Sequence, residues 1–234
     1  MTKTQKSLVL FSGGQDSCVC LAYALEHYGQ VETIGFSYGQ SHKVELETRT
    51  VFLQKFRKTF PNLSAKLGQD HQVDLTGFGG VAKSSLTSSA AITRRQDGLP
   101  DSYVPGRNLI FLITAAALAD RRHAEVLVGG MCETDYSGYP DCRREALDAV
   151  EQTILLGMGL KISIDTPLMK LTKSQTWKMA FDLGGQKLVD LIIKDSHSCY
   201  QGDRSHLHEW GYGCGHCDAC QLRAKGYSTW VKTR

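Results

Sequence analysis

Residues 8–11, LVLF, form a short run with no polar member, and Cys18, Leu21, Ala22 and Leu25 then recur at the spacing of one helix face. This predicts a buried strand and a helix joined by the small, polar string SGGQDS. The alternation continues along the chain. VETIGFSY (31–38) reads as a strand, and HKVELETRTVFLQKFRKTF (42–60) as a helix with Val44, Val51, Phe52 and Phe56 on one face. QVDL (72–75) is a third strand candidate, while residues 77–103 are rich in Ser, Thr, Gly and Ala, too long a stretch for an inert loop. They are expected to be a functional lid or to hold a short helix. RNLIFLITAAALADRR (107–122) is apolar almost all round and predicts a buried helix, followed by the strand EVLVGG (125–130). CRREALDAVEQTILLGM (142–158) is a helix, KISIDTPL (161–168) a strand ended by its proline, and TKSQTWKMAFDLGG (172–185) a helix opened by a capping box from Thr172 to Gln175. Such alternation implies an α/β fold, a mostly parallel sheet with helices on both faces. Past residue 187 the pattern changes to a segment rich in Cys and Gly, so the chain divides into residues 1–187 and 188–234.

Composition adds few constraints. The chain has 234 residues, enough to bury a substantial core, and its net charge of +3 does not by itself argue for nucleic acid. No apolar run approaches the ~20 residues of a membrane span. The first residues, MTKTQKSLVLF, lead straight into a strand with no signal-peptide pattern, so a cytoplasmic location is expected. There thiols stay reduced, and the eight cysteines are expected to be ligands, core residues or reactive thiols rather than disulfides.

Two motifs carry chemistry. Ser12-Gly13-Gly14-Gln15-Asp16-Ser17 joins a strand to a helix, where bared amides and the helix dipole favour an anion. It lacks the GxxxxGK[ST] lysine loop and the GxGxxG spacing, and SGGxDS is the signature of ATP-pyrophosphatase loops. Two glycines let the backbone approach a pyrophosphate, the Ser12 and Ser17 hydroxyls can donate to it, and Asp16 can accept from amides or hold magnesium. A glycine turn with a Ser or Asp helix cap is the plainer alternative. In the tail, Cys199 is followed after fourteen residues by Cys214-x2-Cys217-x2-Cys220. Four thiolates at this spacing suit tetrahedral Zn(II), closed and structural, with an iron–sulfur cluster as the alternative.

The chain resembles the 7-cyano-7-deazaguanine synthase family over nearly its whole length. The resemblance rests on FSGGQDS (11–17), SYGQSH (37–42), VPGRN (104–108), GGMCETDYSGYPDCR (129–143), TPLMKLTK (166–173) and the four-cysteine tail. It implies an adenine nucleotide alpha hydrolase-like fold. It also implies an ATP-dependent ligase that makes 7-cyano-7-deazaguanine from 7-carboxy-7-deazaguanine and ammonia through adenylated acid and amide, in queuosine biosynthesis. The implied ATP segment is Phe11, Ser12, Gly13, Gly14, Gln15, Asp16, Ser17, Cys18, Val19, Cys20 and Leu21, with Ser12, Asp16 and Ser17 catalytic and Mg2+ on the triphosphate. The partners are then small molecules, with neither nucleic acid nor membrane, and a homodimer is compatible with the sequence.

Roles in the deazaguanine pocket follow from chemistry. A guanine-like edge offers two adjacent N–H donors that one carboxylate can accept, which nominates Glu133, Asp135 or Asp141. Tyr136 or Tyr139 could stack on the ring, and Arg107 or Arg143 could fork onto a carboxylate or phosphate. Core tyrosines and surface ion pairs are the plainer alternatives. Cys132 and Cys142 are not needed as nucleophiles in adenylate chemistry. An enzyme that thiolates or otherwise modifies tRNA would share the ATP loop but calls for a basic face or RNA-binding appendage. A zinc-ribbon nucleic-acid binder calls for a basic stripe in the tail, where Asp203, Glu209 and Asp218 interrupt the few bases.

Overall fold

A computed structural model describes residues 4–40, 44–82, 84, 102–134 and 139–234. Its elements run β1 (Lys6–Leu10), α1 (Gln15–His27), β2 (Gln30–Ser37), α2 (Val44–Thr59), α3 (Pro61–Ser64), β3 (Leu67–Asp74), α4 (Thr76–Val81) and α5 (Arg107–Arg122). They continue as β4 (Val126–Val128), a 3-10 turn at Pro140–Cys142, α6 (Arg144–Met158), β5 (Ser163–Asp165), α7 (Lys173–Asp195), β6 (Leu207–His208), β7 (Gly211–Tyr212) and α8 (Asp218–Thr233). The five-stranded sheet is wholly parallel in the order β3-β2-β1-β4-β5, and β6 and β7 form a separate antiparallel pair.

Alternation within the strands splits the core in two. Val9, Val126 and Val128 face a cluster with α1, α2, α7 and α8, whereas Leu8 and Leu127 face a second cluster with α5 and α6. The strands are buried on both faces, which is why LVLF reads as unbroken apolar sequence. The order also places β1 where the chain reverses direction across the sheet. Ligands of open α/β sheets bind at the carboxyl ends of strands beside such a switch point. The SGGQDS loop leaves β1 there.

Three local expectations change. Val51 is 41% exposed, and the buried stripe of α2 is Thr48, Arg49, Phe52, Leu53 and Phe56. The α5 helix is buried on one stripe only, through Asn108, Leu112, Ala115, Ala116 and Ala119, because the sheet covers a single side of it. The third strand starts at Leu67 rather than at Gln72, since its polar residues pair along an edge. Helix α7 opens with the Thr172–Gln175 capping box, bends at Gly185 (φ 61°) and resumes to Asp195, so the division at residue 187 falls inside it. Of the 77–103 stretch, α4 takes the start, and residues 83 and 85–101 lie outside the described residues. No described helix is long and apolar enough to cross a membrane.

Candidate active site and metal centre

The loop is braced by its own side chains. Gly13 has φ +88°, and a Cβ there would meet the Arg49 backbone at 3.1 Å, so only glycine fits without strain. Ser17 Oγ accepts from Gly13 N at 3.1 Å and donates to Gly14 O at 2.9 Å. Ser12 Oγ accepts from Gly14 N at 3.2 Å, and its residue is exposed. Ser17 is thus committed to shaping the loop, and the exposed Ser12 joins it, donating to Ser17 Oγ at 3.3 Å. The buried Arg49 donates to Phe11 O at 2.6 Å and pairs with Asp70, anchoring the end of β1. The side chains of Cys18, Val19, Cys20 and Leu21 are fully buried in the core, and that of Gln15 is buried as well. Burial pushes the Cys18 and Cys20 thiols up, which makes them inert.

Asp16 does not face solvent alone. Lys173 Nζ donates to both of its carboxylate oxygens, at 2.9 and 2.8 Å, from the first residue of α7. Lys173 was legible only as part of a family string. One physical signal marks it: a lysine in the first turn opposes the helix dipole, so it needs a carboxylate partner. The 129–143 segment arrives at the same place, since a Cβ on Gly130 would lie 3.1 Å from Asp16 Cβ.

The nominated pocket residues fall in different surroundings. Half-buried Arg107 lies 5.7 Å from the Tyr38 ring centroid; burial opposes its charge, but Tyr38 and Asp141 favour it and raise its pKa. Tyr139 is buried beside Tyr103, with its hydroxyl 2.7 Å from Ser102 Oγ, and Tyr200 of the tail lies against it. Asp141 and Glu133 serve helix ends: Asp141 accepts from Asn108 N at 3.1 Å and Glu133 from Arg144 N at 2.6 Å. Burial raises the Asp141 carboxyl. Arg143 is exposed, and its neighbour Arg144 makes the ion pairs, with Asp148 and Glu151. Asp135 and Tyr136 lie outside the described residues. Cys132 Sγ donates to Leu171 O at 3.2 Å, and Cys142 Sγ accepts from Asn108 Nδ2 at 3.3 Å.

In the tail, the Sγ atoms of Cys199, Cys214, Cys217 and Cys220 all lie within 4.8 Å of one another, and none is in a disulfide. The Cys199–Cys217 and Cys214–Cys220 pairs are 4.0 Å apart. Four thiolates bound tetrahedrally to one ion at about 2.3 Å would stand about 3.8 Å apart, so the cluster fits a metal with little adjustment. Backbone amides point into the cluster: Cys214 N donates to Cys199 Sγ and Cys217 N to Cys214 Sγ, both at 3.4 Å. A Cβ on Gly213 would come within 2.5 Å of Cys220 Sγ, which explains the glycine there. Neither His206 nor His216 joins the cluster; their Nδ1 atoms meet Asp203 and Cys214 O.

The tail touches the loop directly. His197 N donates to Gly13 O at 3.0 Å, and Ser198 Oγ accepts from Gln15 N at 3.2 Å. Sequence spacing could not reveal this contact between residues 183 positions apart.

Comparisons with known proteins identify the family. The family model described as "Queuosine biosynthesis protein QueC" matches residues 6–231. A 7-cyano-7-deazaguanine synthase of Caulobacter sp. (strain K31) is 59% identical over 229 residues, covering 98% of this chain and 92% of that protein. The synthase of Bordetella pertussis is 55% identical, covering 97% and 93% respectively. Among solved structures, a 4-thiouridine synthetase in complex with RNA and ATP superposes with a TM-score of 0.54 at 18% identity, over 97% of this chain and 53% of that one, a likeness of fold. The chain belongs to the QueC family of queuosine biosynthesis proteins.

Proposed function

We propose that this protein is a 7-cyano-7-deazaguanine synthase that converts 7-carboxy-7-deazaguanine, ammonia and two molecules of ATP to the nitrile. The observation that carries the reading is identity of 59% to a synthase over 98% of the chain. The site's chemistry supports it. A carboxylate resists attack by ammonia because its leaving group would be oxide. Attack of the carboxylate oxygen on the α-phosphate expels pyrophosphate and leaves an acyl adenylate. Ammonia displaces AMP to give the amide, the amide oxygen attacks a second ATP, and loss of AMP with the amide protons leaves the nitrile.

The loop suits pyrophosphate as leaving group. The dipole of α1 would favour the anion, the exposed Ser12 hydroxyl would turn to it from Ser17, and Lys173 brings a positive charge to Asp16. Magnesium, when bound, neutralises the triphosphate, and Asp16 is the carboxylate that would hold it. Zinc is the metal proposed for Cys199, Cys214, Cys217 and Cys220, with no coordination position left for water. Arg107 would take the substrate carboxylate and Tyr139 its ring, with Glu133, Asp135 and Asp141 as the acids for the guanine-like edge. Arg143 remains a phosphate contact from the helix end, and residues 188–234 act as a zinc-binding appendage to an ATP domain. The enzyme would work in the cytoplasm as a homodimer on small molecules, without nucleic acid.

The test is mass spectrometry of products from the purified protein with ATP, ammonium and the 7-carboxy base. Nitrile is expected. A product stopping at the amide would make the protein an amide synthetase, and no consumption of the acid would overturn the reading.

A further inference from the structure

Helix α1 begins after Gly14, which has no side chain with which to cap it. The cap comes instead from the far end of the chain. After α7 ends, the Ser196 hydroxyl donates to Ile192 O at 2.6 Å and His197 N donates to Gly13 O at 3.0 Å. The next residue, Ser198, places its Oγ 3.2 Å from Gln15 N. Arg223, 2% exposed, donates to the same oxygen at 3.4 Å. Its other nitrogens are fixed on Trp210 O at 2.8 Å and Ile192 O at 3.0 Å. Ser198 is therefore held from both sides before any ligand arrives.

A serine hydroxyl has two acceptor lone pairs and one proton to donate. At Ser198 both lone pairs receive N–H groups, and among the described residues no acceptor takes the proton. Its position points to the missing acceptor. A Cβ on Gly14 would meet His197 O and Ser12 Oγ at 3.4 Å and Ser198 Oγ at 3.5 Å. Two hydroxyls from opposite ends of the sequence thus converge beside Gly14 at the start of α1, where the helix dipole favours an anion. The guanidinium of Arg223 also polarises the Ser198 hydroxyl, making it a better donor to a charged oxygen.

We infer that Ser198 is a residue of the ATP site, carried there by the metal-binding tail: it orients the loop through Gln15 N and donates its proton to the pyrophosphate portion of ATP. This rests on the reading of residues 12–17 as the ATP loop. It gives the tail a part in nucleotide binding beyond holding its metal.

Ser198→Ala and Ser198→Thr in the full-length, metal-loaded protein test it, with α,β-methylene ATP as the calorimetric probe. Metal content, thermal midpoint and the KM of each substrate are measured alongside. Loss of a hydrogen bond to a charged group should weaken the alanine variant's binding of the analogue about tenfold to a hundredfold. The KM for the 7-carboxy base and the metal content should stay at wild-type values, and threonine should restore most of the affinity. Wild-type affinity in the alanine variant, even with a lowered midpoint, would reduce Ser198 to a helix cap and overturn the inference. So would loss of affinity that follows loss of metal and is not recovered by threonine. Failure of the wild type itself to bind the analogue would instead overturn the reading of the loop.

Discussion

Lys173→Met should lower kcat/KM for ATP by about 10²–10³, the usual cost of removing a preorganised charge from a developing anion. Lys173 Nζ sits 2.8 and 2.9 Å from the two Asp16 oxygens, and its side chain is only 8% exposed. It cannot leave the loop without unpacking the start of α7. Beside the magnesium that Asp16 would hold, the lysine is a second positive charge for the departing pyrophosphate. The loop has no lysine of its own, so α7 supplies the one that other phosphate loops carry in sequence. A purely structural lysine behaves differently. Removing one partner of a half-buried pair destabilises through the charge left behind. Adding Asp16→Asn would then recover the thermal midpoint and, if the pair were only structural, the activity too. The account expects the double variant to regain stability while turnover stays at the level of Lys173→Met. Steady-state kinetics and thermal unfolding of the single and double variants separate the two.

Cys217→Ser should release the tail's metal and silence the enzyme. Cys217 is buried, stands immediately before α8 and lies 4.0 Å from Cys199 across the cluster. Structural zinc contributes apparent binding free energies of about 10–16 kcal/mol in small zinc-finger peptides, so loss of one thiolate should empty the site at ordinary metal concentrations. The consequence extends beyond the tail because Cys199 sits between two contacts with the active site. Ser198 meets the phosphate loop at Gln15, and Tyr200 lies against Tyr139. Releasing Cys199 frees both at once. Elemental analysis of the wild type should find one zinc per chain, and the variant should lose zinc with at least about a hundredfold loss of turnover, as for other interactions that preorganise a site. Full zinc occupancy in the variant, or normal turnover without metal, would contradict this.

Much of this architecture can be read in the sequence, for definable reasons. The runs LVLF and EVLV announce strands buried on both faces, and Thr172 with Gln175 marks the start of α7 to the residue. The strand order cannot be read there, because alternation shows that strands are parallel without saying which are neighbours. The same limit applies to the site. The loop and the cysteine cluster are local strings, and local spacing locates them. The Asp16–Lys173 pair spans 157 positions and the Gln15–Ser198 contact 183, so no spacing rule reaches them. Periodicity also misplaced Val51, because it sees the repeat of a helix but not how wide a stripe its neighbours cover. The acids of the pocket show another limit. Glu133 and Asp141 fit the chemistry of a guanine edge on paper, yet in the fold each also accepts from a helix amide, a use that residue type alone does not distinguish.

The most direct measurement of the central claim is the nucleotide released when synthetic 7-amido-7-deazaguanine and ATP are supplied without ammonia. Both half-reactions activate an oxygen at the same position of nearly the same molecule, so one site should serve both. The account predicts nitrile with one AMP and one pyrophosphate per turnover, and two AMP per nitrile when the reaction starts from the acid with ammonium. ADP and phosphate as the main nucleotide products would contradict the account.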